Sequence, residues 1–141
     1  RFGFIELFIE NYVCMMNKSH KLSKEKRLSI EQYLSSKHLR VAPDGSPTAP
    51  IDRSLSQLNL EREIFVRIDL ITMAPLILKS SELILTLPSK TAKRMANNYG
   101  FIIADLPIEL EKRKTKLIWH NELSSHPSFD WIKKQIKVDL C

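Results

Sequence analysis

Glycine is scarce in this chain, with Gly3, Gly45 and Gly100 the only three in 141 residues. Phosphate-cradling loops place glycines close together so that backbone N–H groups can approach the anion. No P-loop, G-x-G-x-x-G run or G-x-S-x-G nucleophile elbow is present, which argues against an enzyme. Cysteine is almost as rare. Cys14 sits in an apolar run and Cys141 ends the chain, which is neither a disulfide framework nor a metal spacing. Cys14 reads as a small buried hydrophobe and Cys141 as a frayed terminal thiol, and both suit a reducing cytoplasm. The four histidines, His20, His38, His120 and His126, form no H-x-x-x-H pair and stand at no ligand spacing from a carboxylate. No catalytic residue, metal or cofactor is expected. No apolar run approaches the roughly 18 residues of a membrane helix, and Arg1-Phe-Gly-Phe shows no signal-peptide pattern. A membrane partner is not expected either.

What is present is an ordinary globular composition, 43% hydrophobic and 27% charged, in a length that fits one domain with a real core. The net charge of +6 invites a nucleic-acid reading. Its excess, however, lies mainly in Lys18–Arg27 and Lys112–Lys116, without the interleaved aromatics that base stacking needs. Solvated loops are the plainer reading; direct phosphate binding is the alternative, with a basic rim attracting an anionic effector as its more attractive form.

Apolar runs and helical periods alternate along the chain. Asn11–Asn17 reads as a buried strand, then Ser29 precedes a helix with Ile30, Tyr33 and Leu34 on one face. His38–Val41 is a second strand, and Ile51, Leu55 and Leu58 mark a short helix. Glu63–Asp69, Leu83–Leu87, Ile102–Leu106 and Leu117–Trp119 are further strands, with a helix at Met73–Lys79. Ser89 is the expected N-cap of a helix that turns Ala92, Met95, Ala96 and Tyr99 inward and stops at Gly100. A last helix from about Ser125 accepts Pro127 in its first turn and buries Phe129, Ile132 and Ile136. This alternation predicts an α/β fold, a mostly parallel sheet flanked by helices.

In such sheets ligands sit beyond the carboxyl ends of strands. The segment Pro43-Asp44-Gly45-Ser46-Pro47-Thr48 leaves a strand there and leads into a helix. Free N–H groups and the hydroxyls of Ser46 and Thr48 are suited to a carboxylate or ring oxygen, against the plain reading of a Pro-Gly surface loop. Thr72 and Met73, in the turn after the next strand, face the same side, with Ile71 and Met73 offering apolar lining or simple core packing. Trp119 and Trp131 read as core anchors rather than ligand stackers.

Several ordered pieces resemble one family. Lys18-Ser-His-Lys-Leu22, Glu31-Gln-Tyr-Leu34, His38-Leu-Arg-Val-Ala-Pro-Asp-Gly45 and Ile51-Asp-Arg-Ser-Leu55 are followed by Leu76–Pro88, Phe101–Pro107, Lys116-Leu-Ile-Trp-His120 and His126–Ile132. Together they resemble the C-terminal effector-binding region of LysR-type transcriptional regulators, in the branch with the nodulation regulators. Lys21 departs from the pattern, where a proline usually follows the histidine.

The resemblance implies a periplasmic-binding-protein-like (type 2) architecture of two lobes, with a small organic effector, aromatic or acidic, bound between them. On this reading residues 1–100 form the second lobe, with a crossover strand at their start, and 101–141 return to the first lobe. The resemblance also implies a winged helix-turn-helix upstream of Arg1, so that DNA is bound only through that missing domain, and self-association as a dimer or, at full length, a tetramer. The return segment would then lack its usual support and lean on a partner copy. A solute-binding-protein fragment and a small α/β enzyme are the competing readings. The effector's identity, the target promoters and the sign of regulation are not encoded in these features.

Overall fold

A computed structural model describes residues 1–140; Cys141, expected as a frayed thiol, lies outside the described residues. In chain order the elements are β1 (Phe2–Glu10), β2 (Tyr12–Met16), α1 (Ile30–Ser35), β3 (Lys37–Val41), α2 (Pro50–Gln57), β4 (Glu63–Ile68) and α3 (Ala74–Lys79). They continue with β5 (Ile84–Pro88), α4 (Ser89–Tyr99), β6 (Ile102–Asp105), β7 (Arg113–His120) and α5 (Pro127–Leu140). Short 3-10 turns lie at Ile71–Met73 and Asn121–Ser125. The chain divides into two compact units, Asn11–Glu111 and a second built from Arg1–Glu10 with Lys112–Cys141.

The larger unit is a five-stranded sheet in the order β4-β3-β5-β2-β6. Strand β2 has no polar alternation because both of its faces are buried. Val13 and Met15 join one core with Leu39, Leu85, Leu87, Leu78 and Ala92. Cys14 and Met16 point the other way, into a core with Tyr33, Ile51, Leu55, Ile84 and Ala104. Helices α3 and α4 supply residues to the first core, and α1 and α2 to the second. Ser29 caps α1 through a full capping box with Gln32, as its position before the apolar periodicity indicates. Gly100 ends α4 with φ of 75°, the left-handed conformation that glycine adopts without steric cost.

Three expectations about the larger unit need correction. The sheet is mixed: β3 pairs in parallel with β4 and β5, whereas β2 runs antiparallel to β5 and β6. Ser89 is the first helical residue rather than the N-cap, and its N–H donates to the Asn11 carbonyl at 2.7 Å. The expected division after residue 100 falls inside the larger unit. Strand β6 hydrogen-bonds to β2 through the pairs Val13↔Asp105 to Met16↔Ile102, and the change of unit comes at Lys112.

In the smaller unit β1 and β7 form an antiparallel pair with a register shift between Glu6 and Phe8. Gly3 lies opposite Trp119, where a Cβ would come within 2.6 Å of the indole. The same indole packs on Phe129 at 5.2 Å between ring centroids and donates to the Ser124 hydroxyl at 2.8 Å. Helix α5 contains no fully buried residue. Trp131 is 64% exposed and Ile132 41%, so within this chain Trp131 is not a core anchor and Ile132 is not buried. The second basic run is also strand rather than loop, since β7 begins at Arg113 and Lys116 places its ammonium 4.9 Å from the Phe4 ring centroid.

Candidate functional site

Parallel pairing of β3 with β4 brings their carboxyl ends together, and the Ala42 N–H donates to the Ile68 carbonyl at 2.8 Å. The Pro43–Thr48 loop and the Ile71–Met73 turn therefore leave the same end of the sheet. Pro43, Asp44, Gly45, Pro47 and Thr48 are exposed and Ser46 is half-buried. Thr72 is exposed and Met73 46% exposed, while Ile71 packs partly against the core.

The loop is more tightly wired than its composition suggests. The Gly45 N–H donates to the Ala42 carbonyl at 3.1 Å. The Asp44 carboxylate accepts the Ser46 N–H at 3.0 Å and also the Ser46 hydroxyl, and these bonds hold its pKa below the usual carboxylate range. The Ala49 N–H donates to Asp52 at 3.2 Å, one half of a capping box that alanine cannot reciprocate. The Thr48 hydroxyl accepts from Arg53 at 3.5 Å. The N–H groups expected to be free at Gly45 and Ser46 are thus satisfied within the loop. Polar contact to a ligand there falls to the Thr48 and Thr72 hydroxyls, to the Ser46 hydroxyl oxygen as an acceptor, and to exposed backbone.

Two arginines that the sequence reading passed over tie the loop, and the helix α2 that follows it, to the sheet. Arg40, on β3, is 7% exposed; its guanidinium donates to the Pro47 carbonyl at 2.8 Å and to the Ser46 carbonyl. Arg62 is 5% exposed and grips Asp52 with two bonds, Nε at 2.6 Å and Nη2 at 3.1 Å. Its third bond, from Nη1 to the Tyr33 hydroxyl at 3.2 Å, continues to Thr86 at 2.6 Å. Burial raises the Asp52 pKa, but the Arg62 bonds and charge with the Ala49 N–H outweigh it and leave it lowered. The only sequence signal for these roles was Arg40 beside Leu39 and Val41 in a strand that is buried on both sides; Arg62, just before β4, carried none.

A cavity of about 500 Å³ borders the loop, lined by Arg40, Pro47, Thr48, Asp52, Leu55 and Arg62 among others. A larger one, about 650 Å³, opens at the amino ends of β3 and β5, beside His20, Lys37, Phe65, Leu76 and Leu83. The rule that ligands gather at carboxyl ends favours the loop end over the larger cavity.

Three of the four histidines have structural roles. His20 accepts the Leu22 N–H on Nδ1 at 3.0 Å and donates from Nε2 to the Glu82 carbonyl at 3.0 Å. His38 donates from Nε2 to the Tyr33 carbonyl at 2.7 Å. His120 caps the turn that follows it. Among the described residues no group of three or more His, Cys, Asp or Glu side chains is placed to hold a metal. Among the described residues, too, no helix is long and apolar enough to cross a membrane.

An α/β sheet with its loops gathered at the carboxyl ends of parallel strands is a ligand-binding architecture. The sequence profile of the LysR substrate binding domain matches residues 1–138, and the chain belongs to that family. It is 30% identical over 130 residues to nodulation protein D 1 of Rhizobium leguminosarum bv. phaseoli, covering 92% of this chain and 41% of that protein. It is 28% identical over 141 residues to the transcriptional activator NagR of Ralstonia sp, covering 98% and 46%. The chain thus spans less than half the length of these relatives. The family and these relatives are transcriptional regulators, not enzymes. Among solved structures, the regulatory domain of MexT from Pseudomonas aeruginosa superposes with a TM-score of 0.83 at 16% identity, covering 97% of this chain and 67% of that one. The effector-binding domain of QuiR, in complex with shikimate, superposes at 0.65 and 17% identity, covering 83% and 55%. These likenesses show the fold, a LysR regulatory domain of the periplasmic-binding-protein type.

Proposed function

We propose that this domain senses a small organic acid at the carboxyl end of its sheet and controls transcription through a DNA-binding domain elsewhere in a longer cytoplasmic protein. Pro43, Asp44, Gly45, Ser46, Thr48, Thr72 and Met73 form the contact surface. The observation that carries this reading is the convergence of the β3 and β4 exits, locked by the Ala42–Ile68 bond. The shikimate held by QuiR supplies the ligand class, a compact ring bearing a carboxylate. The unit Asn11–Glu111 is one lobe, and residues 1–10 and 112–141 belong to the other.

Ligand control requires different affinity for two arrangements of the protein, since equal affinity shifts nothing. Self-association belongs to the same reading. The β1–β7 pair exposes Phe2, Phe4 and Ile118, each more than 60% accessible, and such apolar surface costs about 25 cal/mol per Å² to keep wet. A second copy covers that surface in this proposal.

The test is calorimetric titration of the chain with shikimate and with benzoate, beside the double variant Ser46→Ala/Thr48→Ala. The variant should bind the responding acid about tenfold more weakly, the loss of one or two hydrogen bonds, with its melting temperature nearly unchanged. Unaltered affinity in the double variant would move the site elsewhere.

A further inference from the structure

Burying a guanidinium is costly unless its donors are matched, and Arg40 is a case of partial matching. Its two Nη groups donate to the Ser46 and Pro47 carbonyls, while its Nε is buried without a partner. No carboxylate bonds to it directly; Asp44 and Asp52 balance its charge at longer range. An apolar residue at this interior strand position would avoid the cost of the orphaned Nε. What only arginine supplies is a planar fork that holds two successive carbonyls at once.

Those carbonyls belong to the centre of the 43–48 loop. The loop's other bonds are local, Gly45 to Ala42 and Ser46 to Asp44. Its far end is fixed through Ala49 and Asp52 by Arg62. Arg40 is therefore the cross-link from the rigid sheet to the loop's middle.

We propose that Arg40 is a positioning residue that presets the shape of the Pro43–Thr48 loop for its ligand. This rests on the reading of that loop as the effector site. A preset loop spares a ligand the entropy of ordering it, which is where preorganised sites gain affinity. Arg40 touches no ligand in this account; it acts through the peptide groups of Ser46 and Pro47.

The test compares Arg40→Met and Arg40→Lys with the unaltered chain, by amide hydrogen exchange and by titration with shikimate. In Arg40→Met, exchange at Gly45 and Ser46 should accelerate about ten- to a hundredfold more than at Leu85 in β5, the scale of lost charge-assisted bonds. Shikimate affinity should fall by about tenfold or more. Arg40→Lys, which restores one donor, should recover part of both effects, and it carries the test if Arg40→Met does not fold. Equal acceleration at Leu85, or a loosened loop with undiminished shikimate affinity, overturns the positioning role. If neither shikimate nor benzoate shifts a loop amide in the unaltered chain, the site reading fails instead, and the proposal falls with it; if benzoate alone responds, the same comparison of variants is made with benzoate.

Discussion

His38 shows how a single buried side chain sets a pH limit. It is fully buried, its Nε2–H is used by the Tyr33 carbonyl, and its Nδ1 has no partner. A second proton would place a charged N–H where nothing accepts it, with Arg62 adding repulsion. Burial accordingly pushes its pKa down to about 4, against an opposing pull from the Tyr33 carbonyl. His20 is lowered in the same way, first by burial. Because the unfolded chain binds these protons near pH 6.5 and the folded chain does not, stability is complete above that pH and declines as pH falls toward 4. The His38 share of the loss is about 3 kcal/mol. Urea melts at pH 7, 5.5 and 4.5 should show this decline, and His38→Gln should flatten most of it. A variant that keeps the full slope would assign the loss to other groups.

At the scale of elements, the polar link between α1, α2 and β5 is the most exposed to mutation. Arg62 joins Asp52 on α2 to Tyr33 on α1, and Tyr33 reaches Thr86 on β5. Removing one member of a buried ion pair costs about 3–5 kcal/mol, because the other charge is stranded. Arg62→Leu should therefore destabilise the larger unit by about that amount in denaturant melts, whereas a loss below about 1 kcal/mol, the value of an exposed pair, would show the network to be solvated. None of this was legible from spacing, since Asp52 and Arg62 sit on opposite sides of a connection whose path the sequence does not state. Most strands and helices themselves were legible, although β1 was not read from its residues and β7 only over Leu117–Trp119. The doubly apolar run Tyr12–Met16, the capping Ser29 and the terminal Gly100 each carry a local cause. Strand partners were not. The pattern of β6 fits an edge in either unit, and only its pairing with β2 places it. At the candidate site, topology placed the 43–48 and 72–73 segments correctly at one end of the sheet. The free N–H groups of the 43–48 loop were misjudged because the Asp44 carboxylate and the Ala42 carbonyl are close enough to consume them.

For the whole chain, the two units differ in how they are supported. The larger encloses two cores, whereas none of the described apolar residues of the smaller is fully buried. Sedimentation of the 141-residue chain should show a dimer or larger species, and Phe4→Glu should shift it toward monomer. Monomer at every concentration would remove self-association from the proposal. The central claim concerns the ligand end of the larger sheet. A ¹⁵N–¹H titration of the chain with shikimate and with benzoate tests it most directly. The account predicts saturable shifts for at least one acid at Gly45, Ser46, Thr48, Thr72 and Met73, with Leu85 and Lys37 still. Saturable shifts clustered instead at Lys37, Phe65 and Leu83, beside the cavity at the opposite end, would contradict it.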